Sequence, residues 1–368
     1  MTLRRLVRWS ALAVGLAAAI AFTVAYWRSD NDCAQRLAQV PREPMRAVVY
    51  CDYGPPDVLR LASLEKPAPA AGEMLIRVRA AAVNPLDWHY MRGTPYVMRL
   101  DTGLRKPKVI RLGVDFSGTV EAVGAGVTRF KPGDDVFGGR TGAFAEYVVM
   151  REDRALVRKP ERVAFDEAAA VPIAAITALQ GLRDKGRIGP GQKVLINGAS
   201  GGVGTYAVQI ARHLGAEVTG VCSTTKTDLV TSLGADHVID YHRDDFADGS
   251  RTYDLVLDIA GNPSLRRLRR ALTPRGTAVF VGGEDSGAIT GMGRQVRGAL
   301  VSPFLKQRLV LLAAKERASD YERLTELIET GRVAPSLDRT YPLDEVPHAM
   351  QQLEAGRVRG KIAIMPRR

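Results

Sequence analysis

The stretch 193–204, KVLINGASGGVG, constrains this chain more than any other. Lys193–Asn197 reads as a short buried strand, with Val194, Leu195 and Ile196 suited to the middle of a parallel sheet. Gly198, Gly201, Gly202 and Gly204 leave the following turn almost free of side chains, and helical periodicity resumes over Thr205–Leu214. Strand, glycine turn and helix together lay a pyrophosphate on a helix N-terminus, where unpaired N–H groups and the positive dipole end favour an anion. The usual G-x-G-x-x-G is altered: Ala199 holds the first position, followed by Gly201/Gly202 and, after Val203, Gly204. Tight turns alone would also use glycine; the placement between strand and helix is what points to a dinucleotide.

From Lys193 the pattern alternates strand and helix, which predicts a doubly wound parallel sheet. Strands are expected at 193–197, 217–222, 237–240, 254–258, 277–282 and 308–312, with helices at 204–214, 226–233, 263–271, part of 291–304 and 319–330. Upstream, from Met45, the chain is β-rich, with strand candidates Ala47–Cys51, Met74–Ala81, Gly118–Val123 and Ala143–Met150 between Gly/Pro turns. Asp166–Lys185 reads as helical, divided or kinked at Pro172. The tail from Thr340, ending at Lys361–Met365, returns to β character. The expected organisation is therefore a β domain from 45–167 and 313–368, interrupted by a nucleotide domain at 168–312.

The chain has 368 residues and a formal net charge of +12. Its basic residues are dispersed and do not alternate with aromatics, which argues against nucleic acid as a partner. The densest cluster, Arg266, Arg267, Arg269 and Arg270, reads as a solvated helix surface. Cys33, Cys51 and Cys222 are too scattered for a disulfide framework and form no C-x-x-C; Cys51 and Cys222 read as small buried thiols in strands.

Residues 1–9 are basic, and Ser10–Trp27 carries no charge over eighteen residues, the lower limit for a membrane-spanning helix. Trp9, Tyr26 and Trp27 at its ends favour an uncleaved anchor, so the membrane is an expected partner through 10–27. A cleaved signal is the alternative, as is a true start at Met45, which would leave a soluble cytoplasmic enzyme. Residues 28–44, polar and containing Pro41 and Pro44, read as a linker. A nicotinamide enzyme belongs on the cytoplasmic side, and a homodimer is a further partner the chain admits.

The end of the second nucleotide-domain strand selects the dinucleotide. NAD enzymes usually place Asp or Glu there for the ribose hydroxyls. Here Val221-Cys222 runs into Ser223-Thr224-Thr225-Lys226, with no carboxylate before Asp228. Hydroxyls and a cation suit the 2′-phosphate of NADP, although Lys226 could also be an ordinary first-turn residue with Ser223 or Thr225 as N-cap. Tyr241, after the third strand, is placed to lie beside the adenosine phosphate.

At these residues the chain resembles the medium-chain dehydrogenase/reductase superfamily, on its zinc-independent quinone oxidoreductase side. The resemblance rests on MRAVVY…YGPPDVL (45–59), AAVNPLDWHYMRG (81–93), LGVDFSGTVEAVGAGVTRFKPGDDVFG (112–138), GAFAEYV (142–148), AAAVPIAAITAL (168–179), INGASGGVGTYAVQIARHLGAEVTGVCST (196–224), LGADHVIDY (233–241) and RGKI (359–362). It implies an α/β architecture, a GroES-like β domain enclosing a Rossmann domain, with the active site between them. In the zinc alcohol dehydrogenases of the superfamily a catalytic Cys stands where this chain has Asn84, and Gly-His-Glu is matched by Gly113-Val114-Asp115. Five histidines and three scattered cysteines show no zinc-ligand spacing, so the expected cofactor is NADPH without zinc.

Without a metal, hydride transfer needs an acceptor already electrophilic, such as a quinone or an α,β-unsaturated carbonyl. The resemblance places Asn84 and Asp87 at the cleft. Asn84 is expected to donate to a carbonyl oxygen or orient the nicotinamide ribose, and Asp87 to hold it or relay a proton; turn chemistry in Asn-Pro-x-Asp is the alternative. His89 and Tyr90 depart from the usual loop, and Tyr90 is the third catalytic candidate. Tyr53 is a candidate lining residue and Tyr147 a structural one. Cofactor contacts implied by resemblance are Asn197–Val203, Thr177, Ala260-Gly261-Asn262, Gly282-Gly283 and Lys361. Tyr96–Arg111, with several cations, is either a lid or a solvated loop. The expected function is an NADPH-dependent quinone or enone reductase. An alcohol or aldehyde dehydrogenase, or a membrane-tethered NADPH-binding sensor without turnover, are the alternatives.

Overall fold

The computed structural model describes residues 29–282 and 291–366, with Ile20, Thr23, Val24, Tyr26 and Trp27. Most of the expected span at 10–27 lies outside the described residues, as does Gly283. Among the described residues no helix is long and apolar enough to cross a membrane.

A two-stranded ribbon, β1 (Pro44–Val49) with β2 (Arg60–Glu65), opens the chain. A second sheet is built on β3 (Glu73–Ala82), β4 (Asp115–Val123), β5 (Asp135–Gly139), β6 (Tyr147–Arg151) and β7 (Leu156–Arg158). β3 pairs antiparallel with both β4 and β6, so its alternating side chains Met74, Ile76 and Val78 are buried. The chain then enters a parallel sheet of β8 (Lys193–Asn197), β9 (Glu217–Cys222), β10 (His237–Asp240), β11 (Tyr253–Asp258), β12 (Leu272–Phe280) and β13 (Arg308–Leu311). Its order is β10-β9-β8-β11-β12-β13, a Rossmann sheet whose topology reverses at β8. Val194, Leu195 and Ile196 on β8 are fully buried because helices cover both faces. Finally β14 (Leu337–Pro342) and β15 (Lys361–Met365) return to the first region, and β15 pairs with β3 at Ala363 and Ala82.

This is the expected α/β architecture: a GroES-like β region with a Rossmann excursion. Some boundaries differ from the sequence pattern. Ala143–Met150 reads as one strand, but the ladder takes only Tyr147–Arg151, because Phe144 turns to exchange backbone bonds with Leu112 and Val48. Asp166–Lys185 divides at Pro172 into Phe165–Ala169 and Pro172–Gln180.

The N-terminal linker and the cysteines need correction. Within 28–44 a short helix forms at Cys33–Ala38, and Cys33 is disulfide-bonded to Cys51 with Cα atoms 5.5 Å apart. Sequence spacing concealed this pair because it depends on docking: Cys33 packs with Val49 and Ile110, which brings it to the end of β1. Only Cys222 remains a free buried thiol.

Candidate active site

The glycine turn closes as its sequence requires. The helix Gly202–His213 follows, so by helix geometry the N–H groups of Gly202, Val203 and Gly204 have no intrahelical acceptor. Gly198 has φ +92°, the left-handed region where a side chain is disfavoured. A Cβ at Gly204 would fall 2.1 Å from the Gly198 carbonyl oxygen, and one at Gly202 2.7 Å from the Lys361 stem. A Cβ at Gly201 would make only an ordinary 3.6 Å contact with the Gly198 carbonyl oxygen, so the turn leaves room for an anion to approach the backbone. Ala199 is buried beneath the turn and faces Gly220 on β9. These residues fit a dinucleotide pyrophosphate.

At the end of β9, Ser223 caps a short 3-10 turn containing Lys226. The Lys226 ammonium donates to the Gly356 and Val358 carbonyls, both at 2.8 Å, and burial lowers its pKa. Two of its three donors are thus used, leaving one for a ligand. Arg359 joins it, donating to the Thr225 carbonyl and pairing with Asp228 at 2.7 Å. Tyr241 is exposed, and its ring lies 4.4 Å from that of His242, tilted by 44°. On the far lip, Gly282 is held by the Gln295 side chain, and the buried Asp258 at the end of β11 joins Asn197 and Arg294.

Asn84 and Asp87 lie in a buried polar cluster, not on an open cleft wall. The Asn84 side-chain amide donates to Ala82 carbonyl at 3.2 Å and to Asp115 at 3.0 Å, and its oxygen accepts from Lys361 at 2.6 Å. Both amide protons are committed, so the expected donation from Asn84 to a substrate carbonyl is corrected. Asp87 caps the helix Pro85–Arg92, accepting from the N–H groups of Asn84 at 2.9 Å and Gly113 at 3.0 Å. That is turn chemistry. Burial and the nearby Asp115 charge push Asp87 up to about 7. Asp115 is also raised by burial, opposed by Lys361, which lies 3.6 Å away. Lys361 also donates to the Val83 carbonyl at 3.0 Å; the expected contact of its ammonium with cofactor gives way to this internal bonding, while its stem supports Gly202.

Beside this cluster is a cavity of about 460 Å³ lined by the β region, by the helix Pro172–Gln180 and by the segment after β13. Leu86 and Tyr90 enter it from the helix Pro85–Arg92, Val114 from the loop before β4, and Ile173, Ile176 and Thr177 from the helix Pro172–Gln180. Val114 and Ile173 present aliphatic walls without metal-ligating atoms. Among the described residues no group of three His, Cys, Asp or Glu is arranged to hold a metal. Burial and the charges of Asp87 and Asp101 raise the Tyr90 phenol pKa. Tyr53 does not line this cavity: its hydroxyl bonds Thr102 and the Gly103 carbonyl. The loop 96–111 is clasped from the N-terminal side, through Asp30 to Arg105 and Lys106, and through Asn31 to the Pro107 carbonyl. It is neither a lid on the cavity nor a freely solvated loop.

The sequence reading missed Lys315 and Glu316, which line the cavity just beyond β13. Their place after the last parallel strand was the available signal, since ligands sit outside the carboxyl ends of such strands. It also missed Arg294, whose packing against Asp258 depends on a helix with no motif of its own.

Known proteins match this arrangement. Residues 70–161 match the alcohol dehydrogenase GroES-like domain family, and residues 233–364 the zinc-binding dehydrogenase family. A chloroplastic quinone-oxidoreductase homolog from Spinacia oleracea is 32% identical over 336 residues, covering 88% of this chain and 98% of the relative. An NADPH-dependent alkenal/one oxidoreductase from Arabidopsis thaliana is 32% identical over 344 residues, covering 89% and 81%. The solved quinone oxidoreductase from Coxiella burnetii superposes with a TM-score of 0.77 at 29% identity, covering 88% of this chain and 100% of that one. The chain belongs to the medium-chain dehydrogenase/reductase superfamily, among its quinone oxidoreductase-like members. It is an oxidoreductase of that type, with a nicotinamide cofactor.

Proposed function

We propose that the protein is an NADPH-dependent, metal-independent reductase of quinones or α,β-unsaturated carbonyls. The observation that carries this reading is the cavity. Thr177, by resemblance the nicotinamide neighbour, shares it with Tyr90, the aliphatic Ile173, and Val114, which by resemblance stands where zinc members keep a ligand His. NADPH, when bound, supplies a hydride that adds to the conjugated acceptor, a solvent-derived proton completing the reduction as NADP leaves. The chain's residues bind, orient and exclude water. Gly202–Gly204 offer N–H groups to the pyrophosphate, and Ser223, Lys226 and Arg359 offer a hydroxyl and positive charge to the 2′-phosphate. Tyr90 brings a neutral phenol to the cavity wall, with its pKa held up by burial, and is the candidate proton-bearing group for the acceptor's oxygen. The Lys361–Asn84–Asp115 cluster holds the N-terminus of the helix bearing Leu86 and Tyr90 in place. The names of the spinach and Arabidopsis relatives support the two acceptor classes and NADPH.

An acceptor panel tests it. The full-length protein with NADPH should reduce a simple quinone and a simple enone, leave an isolated ketone untouched, and keep its activity after chelator treatment. Reduction of the isolated ketone, or loss of activity with chelator that zinc restores, would favour an alcohol dehydrogenase instead.

A further inference from the structure

Hydride transfer to a neutral quinone or enone needs no positive charge in the wall around the acceptor, yet this cavity has it. Arg140, Arg154 and Lys315 all line it, against a single carboxylate, Glu316. No salt bridge among the described residues takes any of the three cations, although Arg183 and Arg317 close by are paired with Asp184 and Asp320. Arg140 uses its Nε on the Val149 carbonyl, which fixes its direction without neutralising it. Glu316 accepts from the Tyr321 hydroxyl at 3.2 Å and is backed onto Gly139; it feels the Arg154 charge but makes no ion pair with it. Behind the same loop, Arg111 stands against Gly142 with a buried Nη1 that has no hydrogen-bond partner.

Arg140, Arg154 and Lys315 are each exposed where they line the cavity, and like charges gathered there repel one another and set up a positive potential that favours an incoming anion. The cofactor's phosphates do not satisfy it. The Gly201–Gly204 turn and the Ser223, Lys226 and Arg359 group lie elsewhere, and none of them lines this cavity. The positive wall shares the cavity with Thr177, at the reacting end of the site.

We propose that the acceptor carries an anionic tail: a quinone or enone with a carboxylate on a short saturated chain, bound by Arg154 and Lys315, with Arg140 adding to the field. The inference rests on the reductase reading above and names the substrate class of that site. The reaction keeps the same balance: with the enone, hydride goes from NADPH to the β-carbon and a solvent proton to the α-carbon; with the quinone, hydride and one solvent proton give the hydroquinone; the carboxylate is unchanged in both.

A matched pair of probes tests it: 6-oxooct-7-enoate and its methyl ester, which share the same vinyl ketone. With full-length protein and NADPH at low salt, kcat/KM for the acid should exceed that for the ester by about tenfold or more. The ratio should shrink as salt rises, and fall toward one in the Arg154→Gln/Lys315→Gln double variant. The wild-type salt series stands without the variant should that fail to fold. An ester turned over as well as the acid overturns the proposal, as does a ratio insensitive to salt or retained in a folded double variant. If neither probe is reduced, the reductase reading itself fails.

Discussion

Lys361→Met removes one ammonium from the buried cluster and keeps most of the stem that supports Gly202. In the native protein that ammonium lies 2.6 Å from the Asn84 oxygen, 3.0 Å from the Val83 carbonyl and 3.6 Å from Asp115. Lys361 and Asp115 are both almost wholly buried, so water cannot replace the lost contacts. Breaking a buried ion pair from one side typically costs about 3–5 kcal/mol, chiefly through the charge left behind. Asp115 would keep donors from Asn84 and from the Ile173 N–H, which places the expected loss at about 3 kcal/mol, near the lower end of that range. Chemical denaturation of the full-length variant reads this as a lowered midpoint. Adding Asp115→Asn removes the orphaned charge, so the double variant should recover much of the loss, with a coupling energy of about 2–3 kcal/mol. A single variant that loses less than about 1 kcal/mol, or single effects that add without coupling, would refute the account of the cluster.

Three further outcomes follow from the same geometry. Asp87 holds its proton up to about 7 in the folded state, whereas the unfolded chain releases it near 3.8. Between these values the native state binds more protons, so stability contributed by this group is present at low pH and falls as pH rises toward 7. Asp87→Asn should flatten that part of the stability profile, whose steepest slope is about 1.4 kcal/mol per pH unit, and an unchanged profile would refute the assignment. Gly204→Ala places a Cβ against the Gly198 carbonyl and Ala199 backbone, which should destabilise by about 1–3 kcal/mol and weaken NADPH binding measured by fluorescence titration. Wild-type affinity in that variant would remove the turn from the cofactor site. Lys226→Met should reduce the preference for NADPH over NADH by roughly tenfold, the worth of one charge-assisted contact, in kcat/KM ratios. An unchanged ratio would assign discrimination to Ser223 and Arg359 alone.

Much of the fold was legible because it depends on local periodicity. Lys193–Asn197, Glu217–Cys222 and His237–Asp240 fall where alternating buried segments and glycine turns predict them. The glycine turn was legible too, because its strand, glycines and helix are contiguous, although the contacts that exclude side chains at Gly198 and Gly202 come from Ala260 and Lys361. The chemistry of Asn84 was not. Its neighbours Asp115 and Lys361 are distant in sequence, and only the return of β15 alongside β3 shows that its amide is already spent. The Cys33–Cys51 bond was hidden for the same reason, since a docked helix brings the two together. Lys315 and Glu316 carry no motif beyond their place after the last parallel strand, and their role shows in the assembled cavity wall. Local rules thus located the cofactor turn, while the acceptor side of the site needed the assembled fold.

The central claim is that hydride reaches a conjugated acceptor from a nicotinamide beside Thr177. It is tested most directly by reducing a simple enone with NADPH that carries deuterium at the transferring C4 position, then locating the label by mass spectrometry and NMR. The account predicts one deuterium at the β-carbon of a saturated ketone and a solvent hydrogen at the α-carbon. An allylic alcohol with deuterium on the carbinol carbon, or no labelled product, would contradict it.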